Sequence, residues 1–203
     1  MTTPETRIVA PLSTDAWRSD LNQINDDMKG APINVHKLMA HNPDLLKAWW
    51  GFRNYSVSGG TLGPVLGELV ILRVAVHLGS WYEWASHVDR AVRLGMPPAQ
   101  INAVLLRDIG SELNEAEGMV VRAVDDLLTH RKLTDTTRAA LERHFSTAQI
   151  MDIIAIQGMY QILGSMIATW GLSLDTATAE RLDGVTEYGS FIAAAARFNG
   201  DPD

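Results

Sequence analysis

The sequence predicts an all-α protein of eight or so helices forming a single domain. Three observations carry that expectation. Apolar residues recur at helical spacing along most of the chain, and Asn-Pro, Gly and Ser/Thr positions punctuate the periodic runs where helices start and stop. Strand signals are almost absent, with no sustained alternating run bounded by hairpin dipeptides. A length of 203 residues is enough for one domain with a real core.

Residues 1–13 read as an extended N-terminal arm, because Pro4 and Pro11 block helix formation. Ser13 or Thr14 would cap a first helix through Trp17, Leu21, Ile24 and Met28, closed by Gly30-Ala31-Pro32. A short helix from Asn34 carries Val35, Leu38 and Met39. Asn42 as N-cap with Pro43 at the first helical position then starts a helix expected to bury Leu45, Leu46, Trp49 and Phe52 and to stop before Gly59-Gly60. Pro64 opens the next helix. It is apolar on nearly every side over 65–78, with Glu68, Arg73 and His77 as the exceptions, so it belongs in the middle of the molecule. Gly79 breaks it, and a further helix runs over 80–94, with Gly95 placed to end it in the left-handed conformation. Later helices start at Pro97-Pro98, at Ser111 or Asn114, at Thr134 and near residue 147. The main helical domain is expected over 14–175, followed by a tail over 176–203 with an aromatic-alanine patch.

Composition excludes several function classes. The net charge of −7, from 17 basic and 24 acidic residues without a basic block, argues against nucleic acid as a partner. The chain has no cysteine, which removes disulfides, thiolate nucleophiles, Cys-x-x-Cys redox pairs and thiolate metal sites. No apolar core follows a basic start at the N-terminus, so no signal peptide is expected. Residues 150–170 are long and apolar, but Asp152, Gln157 and Gln161 interrupt them and flanking basic residues are missing. A buried central or interface helix, no membrane contact and a cytoplasmic location are expected.

The chemistry concentrates in residues 68–95, ELVILRVAVHLGSWYEWASHVDRAVRLG. On a wheel of about 100° per residue, Trp81, Trp84, Ala85, Val88, Ala91 and Val92 form one broad stripe. Ser80, Glu83 and His87 form a second row at its border, and Glu83 and His87, four apart, can touch. Glu68 lies on the preceding helix, which must fold back across Gly79. Two carboxyls near one imidazole have separated, coupled pKa values, an arrangement suited to moving protons next to a carbonyl. Two alternatives stand beside this: a surface Glu83–His87 ion pair, and a Glu68–Arg73 or other inter-helix salt bridge that explains the buried Glu68. A metal held by Glu68, Glu83 and His87 is a third. No Gly-x-Ser-x-Gly elbow supports Ser80 as a hydrolase nucleophile, no His-Glu-x-x-His occurs, and Gly59, Gly60 and Gly63 lack the Lys-Ser/Thr of a phosphate-binding loop. Trp49, Trp50, Trp81 and Trp84 read as core or subunit interface, and His36 as ordinary.

The run ELVILRVA…LGSWYEWASHV…A…LG, with HKLMAHNPDLLKAWW upstream, resembles the carboxymuconolactone decarboxylase family, which includes alkylhydroperoxidase D-like proteins. The likeness is strong over 34–110 and looser elsewhere. In the family's peroxidase branch a Glu is followed by Cys-x-x-Cys and, four residues after the second Cys, by His. Glu68 and His87 match that Glu and His, whereas Ser80 and Glu83 stand at the two cysteine positions. The resemblance without the cysteines implies no thiol peroxidase activity and points to the decarboxylase-type branch. There a carboxylated lactone loses CO2 without a cofactor, a step in the breakdown of aromatic compounds. It also implies an all-helical subunit that assembles as a homo-oligomer, a trimer or hexamer.

The expected function is therefore a cofactor-independent lyase or isomerase acting on a small-molecule carboxylated lactone or oxo-acid. Glu68, Glu83 and His87 are the expected catalytic residues, and Arg73, Tyr82 and Ser80 the expected substrate contacts. The alternatives are a non-catalytic binding or assembly protein, which predicts a closed site at His87, and a metal-dependent variant.

Overall fold

A computed structural model describes residues 9–182 and 184–199. Most of the expected N-terminal arm, residues 1–8, and the end of the expected tail, residues 200–203, lie outside them. Among the described residues there are eleven α-helices and no strands: α1 (Asn22–Asp27), α2 (Asn34–Met39), α3 (Pro43–Val57), α4 (Pro64–Leu78), α5 (Trp81–Arg93), α6 (Pro98–Ala103), α7 (Glu115–His130), α8 (Asp135–Leu141), α9 (Thr147–Trp170), α10 (Thr176–Arg181) and α11 (Tyr188–Phe198).

The apolar character of α4 on all sides fits its place at the centre. Every residue from Gly67 to Val76 is buried, and α5, α7, α9 and α11 all pack on it. The two ends of α4 are set by backbone chemistry. Pro64 occupies the first turn, where its missing N–H costs nothing. At the other end Gly79 adopts φ 61°, and the Ser80 and Gly79 N–H groups donate to the carbonyls of Ala75 and Val76 at 2.9 and 3.1 Å. This is a Schellman turn, which reverses the chain and lays α5 back along α4. Gly95 ends α5 in the same way, as its position in the sequence predicts, with Met96 and Gly95 N–H donating to Ala91 and Val92.

Capping matches the sequence signals at Asn42, Asn114 and Thr134, and Ser146 caps α9. The caps at Asn114 and Ser146 are complete capping boxes with Glu117 and Gln149. The long apolar helix α9 meets the length and hydropathy of a membrane span, yet 56% of its most apolar window is buried within the protein. Asp152, which interrupts it, is buried and tied to the α3–α4 connection. Its carboxylate accepts from Tyr55 Oη and from the Thr61 N–H and Oγ1, each at 2.6 Å, and from the Leu62 N–H at 3.2 Å. A Cβ on Gly60 would fall 2.7 Å from this carboxylate, so the loop closes there because residue 60 has no side chain.

The structure differs from the sequence reading in three places. The expected single helix over Trp17 to Met28 is broken into two 3-10 turns and the short α1, because Trp17 and Arg18 adopt extended backbone. Trp17 Nε1 bonds back to Leu12 O, and Arg18 pairs with Asp20 and Asp44. In α3 the inward residues are Leu46, Trp49 and Trp50, while Leu45 and Phe52 are exposed. Trp50 is drawn inward where its Nε1 donates to Asp27 Oδ2 at 2.7 Å. Residues 176–199 hold two helices packed on the α4–α5 hairpin, with Phe191 fully buried against Trp84 and Trp81.

Arg73 explains how α7 is held to α4. Its side chain is fully buried; Nε and Nη2 donate to Asp125 of α7 at 2.6 and 2.8 Å, and Nη1 donates to the carbonyls of Val104 and Leu106. Asp125→Ala strands this cation, and the expected cost is about 3–5 kcal/mol, read as a fall in the urea midpoint. A change below about 1 kcal/mol would show the pair to be dispensable.

Candidate active site

The site is made by the α4–α5 reversal. Glu83, His87 and Arg90 lie on one face of α5 at helical spacing, and Glu68 sits one helix away, 1% exposed among apolar neighbours. His87 Nδ1 is 2.6 Å from Glu68 Oε2, and Arg90 Nε donates to Glu68 Oε1 at 2.8 Å. Arg90 Nη2 also donates to Val57 O at 3.0 Å, which links α5 to the end of α3. On the far side of the imidazole, Nε2 faces Glu83 Oε2 at 3.6 Å. The other Glu83 oxygen, Oε1, is buried without a hydrogen-bond partner. Tyr160 of α9 sets its ring perpendicular to that of His87, with centroids 4.9 Å apart.

These contacts give the two carboxyls opposite characters. Burial alone would raise Glu68, but the charges and hydrogen bonds of His87 and Arg90 outweigh it and hold Glu68 below the ordinary carboxylate value. Glu83 has no cation of its own. Burial, reinforced by the negative charge of Glu68, pushes it up to about 8. At neutral pH Glu68 is thus a carboxylate and Glu83 a carboxylic acid. A carboxylate facing Nδ1 requires the imidazole N–H on that side, which turns Nε2 toward Glu83. Tyr160 is raised well above its usual range by burial and then by Glu83 and Glu68, so it is a neutral phenol.

Glu83, His87 and Tyr160 open onto a cavity of about 250 Å³, whose lining also includes His36, Trp49 and Arg53. That volume suits a small organic molecule. Of the residues the sequence suggests as substrate contacts, Tyr82 lines this cavity, but its hydroxyl is occupied. It donates to Asp175 Oδ2 at 2.6 Å and accepts from the Val35 N–H at 3.2 Å, tying α5 to α2 and to the start of α10. Ser80 and Arg73 are not in the lining. Ser80 is the N-cap of α5, its hydroxyl accepting from the Glu83 N–H, and Arg73 is committed to Asp125 and two carbonyls. The Glu68–Arg73 bridge considered from the sequence does not form; the cation on Glu68 is Arg90. Among the described residues no group of three or more His, Asp and Glu side chains is placed to hold a metal ion. The Glu68 carboxylate is already taken up by the imidazole and the guanidinium.

Sequence reasoning missed Arg90, Arg53 and Tyr160, and it read His36 as ordinary and Trp49 as core or subunit interface. Arg90 was within reach, three residues beyond His87 on the same face. Tyr160 gave no signal, because nothing local ties α9 to α5.

Comparison with known proteins bears on this geometry. Residues 43–126 match the family model described as the carboxymuconolactone decarboxylase family. None of the curated proteins matches the chain. Among solved structures, a cysteine-to-alanine variant of the debrominase Bmp8 in complex with 2,3,4-tribromopyrrole is similar, with 21% identity, a TM-score of 0.74, and 92% of this chain and 99% of that one covered. An uncharacterised peroxidase-related protein from Silicibacter sp. TM1040 is 17% identical over 88% of this chain and 97% of its own, with a TM-score of 0.73. An alkylhydroperoxidase AhpD core protein from Ralstonia eutropha JMP134 is also 17% identical, over 87% of this chain and 96% of its own, with a TM-score of 0.73. At these identities the structural likeness speaks for the fold, while the family match covers α4 and α5, which carry Glu68, Glu83 and His87. Residues 43–126, the segment carrying Glu68, Glu83 and His87, thus match the carboxymuconolactone decarboxylase family model, and the chain as a whole has the alkylhydroperoxidase-like helical fold.

Proposed function

We infer that the protein is a cofactor-independent lyase or isomerase that moves a proton between Glu83 and a carbon next to the carbonyl of a small carboxylated lactone or oxo-acid. The observation that carries this reading is Glu83 itself. It is a buried, uncharged carboxyl with one oxygen at His87 and the other unpartnered, in the wall of a cavity. A carboxylic acid kept protonated at neutral pH is a competent proton donor to carbon.

In the decarboxylation direction, the departing CO2 leaves its bonding electron pair on the ring carbon, delocalised into the carbonyl as an enolate. Glu83 gives its proton to that carbon and becomes a carboxylate 3.6 Å from His87 Nε2. A proton from solvent returns through the imidazole, whose cationic form the Glu68 carboxylate stabilises at Nδ1. Tyr160 makes no side-chain hydrogen bond among the described residues, so its phenol proton is available to the developing oxyanion, the role that Tyr82 cannot fill. Isomerisation uses the same pair, removing the proton at one carbon and returning it at another.

The non-catalytic alternative expects a closed contact at His87, whereas His87 and Glu83 both line a cavity. The Bmp8 variant with 2,3,4-tribromopyrrole replaces a cysteine, a residue this chain lacks altogether, so a thiolate-dependent reaction has no nucleophile here. The homo-oligomer implied by the family resemblance has support in the exposed Met151, Ile154 and Ile162 along α9. Light scattering should give a mass above the 22.3 kDa of one chain, and a monomer at working concentration would refute that expectation.

Glu83→Gln and His87→Ala should each lower turnover roughly 10²–10⁴-fold in a screen of unsaturated lactone and oxo-acid carboxylates. Unchanged turnover in either variant overturns the assignment. Activity should fall as pH rises through about 8, where Glu83 loses its proton. The same shift has a consequence for stability. Folded Glu83 keeps its proton up to about 8, whereas an unfolded chain releases it near 4.5, so unfolding is increasingly favoured as pH rises between those values. Glu83→Gln removes this titration. Its stability relative to the parent should therefore rise from pH 5 to pH 8 and level off above, and parallel urea-midpoint profiles would show that Glu83 is not perturbed.

A further inference from the structure

We propose that Arg53, together with Trp49 and His36, forms an anion subsite of the cavity that takes a carboxylate of the ligand at a distance from the proton-transfer pair. The argument begins with charge. Four arginines line the cavity, and three have carboxylate partners: Arg90 pairs with Glu68, and Arg93 and Arg181 both pair with Asp89. Arg53 has none among the described residues. Its guanidinium bonds only the Asn54 side chain, at 2.9 Å, and stacks over the Trp50 ring at 4.9 Å. A partly buried cation without a counter-charge is costly, and desolvation does lower its pKa.

Hydrogen-bond capacity points the same way. Trp49 Nε1 is buried without a partner and His36 Nδ1 is buried without a partner, and both residues line the cavity with Arg53. An indole N–H and a guanidinium can only donate, so one ligand group satisfies both only if it accepts. Burial, with the Arg53 charge adding to it, drives His36 down to about 3, so it is a neutral ring able to present an N–H. A water molecule would satisfy Trp49 but would leave Arg53 uncompensated. A carboxylate, with two acceptor oxygens and a negative charge, does both.

The subsite's part in catalysis rests on the proton-transfer reading; its ability to bind does not. An ion pair stabilises a carboxylate and would oppose its conversion to neutral CO2. The group at Arg53 is therefore a handle that the reaction leaves in place, and it fixes which ligand carbon meets Glu83.

Benzoate tests the subsite without the reaction, since it carries a carboxylate on a flat ring and has no carbon acid for Glu83 to act on. Benzamide is its uncharged counterpart. Titrated calorimetrically or by tryptophan fluorescence, benzoate should bind the wild-type protein at least tenfold more tightly than benzamide. Arg53→Gln should weaken benzoate roughly ten- to a hundredfold and leave benzamide unchanged, while Arg53→Lys should retain part of the benzoate affinity. His87→Ala should keep the benzoate preference even where turnover is lost, so failure of the subsite and failure of the reaction are told apart. Equal affinity for benzoate and benzamide, absence of benzoate binding to the folded wild type, or full benzoate affinity in a folded Arg53→Gln overturns the proposal. The wild-type comparison decides it should the variant not fold.

Discussion

Placing Glu68 in the middle of the most buried helix is the constraint on which the rest depends. An ionised carboxylate in such surroundings costs several kcal/mol unless both oxygens accept hydrogen bonds and a cation answers the charge. α4 supplies none, since its neighbouring residues are apolar. The donors come from α5, through His87 on one oxygen and Arg90 on the other. Both reach Glu68 only because the turn at Gly79 folds α5 directly back along α4. The apolar packing of α4 and the polar chemistry of α5 are thus two sides of one hairpin.

That arrangement leaves Glu83 as the uncompensated member. One negative charge in the pocket is neutralised, and a second would meet burial and the first charge together, so Glu83 holds its proton. The asymmetry between the two carboxyls arises because Glu68 has His87 Nδ1 at 2.6 Å and Arg90 at 2.8 Å, whereas Glu83 has only burial and the Glu68 charge acting on it. Arg90 also grips the Val57 carbonyl at the end of α3, and the loop that follows is clamped by Asp152 of α9. The α3 wall, with Trp49 and Arg53, and the α9 wall, with Tyr160, are thereby held against the hairpin and enclose the cavity. Asp152 and Glu68 share a logic: each is a carboxylate that breaks an otherwise apolar helix and draws a neighbouring element onto it.

Much of this was legible in the sequence where the signal is local. The α4–α5 hairpin, its glycine breaks, the helix starts at Asn42 and Thr134, and the i,i+4 meeting of Glu83 and His87 all follow from steric and hydrogen-bond rules acting within a few residues. The inward face of α3 did not follow. Leu45 and Phe52 are as apolar as Leu46 and Trp50, and the choice was made by a bond from Trp50 to Asp27 on another helix. Arg73 and Ser80 are polar residues in or beside the site motif, yet their bonding capacity is taken up by Asp125, two carbonyls and the start of α5.

By itself, then, the sequence determined the all-helical class, the hairpin, the absence of thiol chemistry and the i,i+4 spacing of Glu83 and His87, because each depends on residue type and helical period alone. Tertiary structure decided which cation answers Glu68, which carboxyl stays protonated, and that His36, Trp49, Arg53 and Tyr160 share one cavity with His87. The reason is physical. Protonation and hydrogen-bond satisfaction depend on the burial and charge around each group, and those are set by helices distant in the chain that meet only when the core closes around α4.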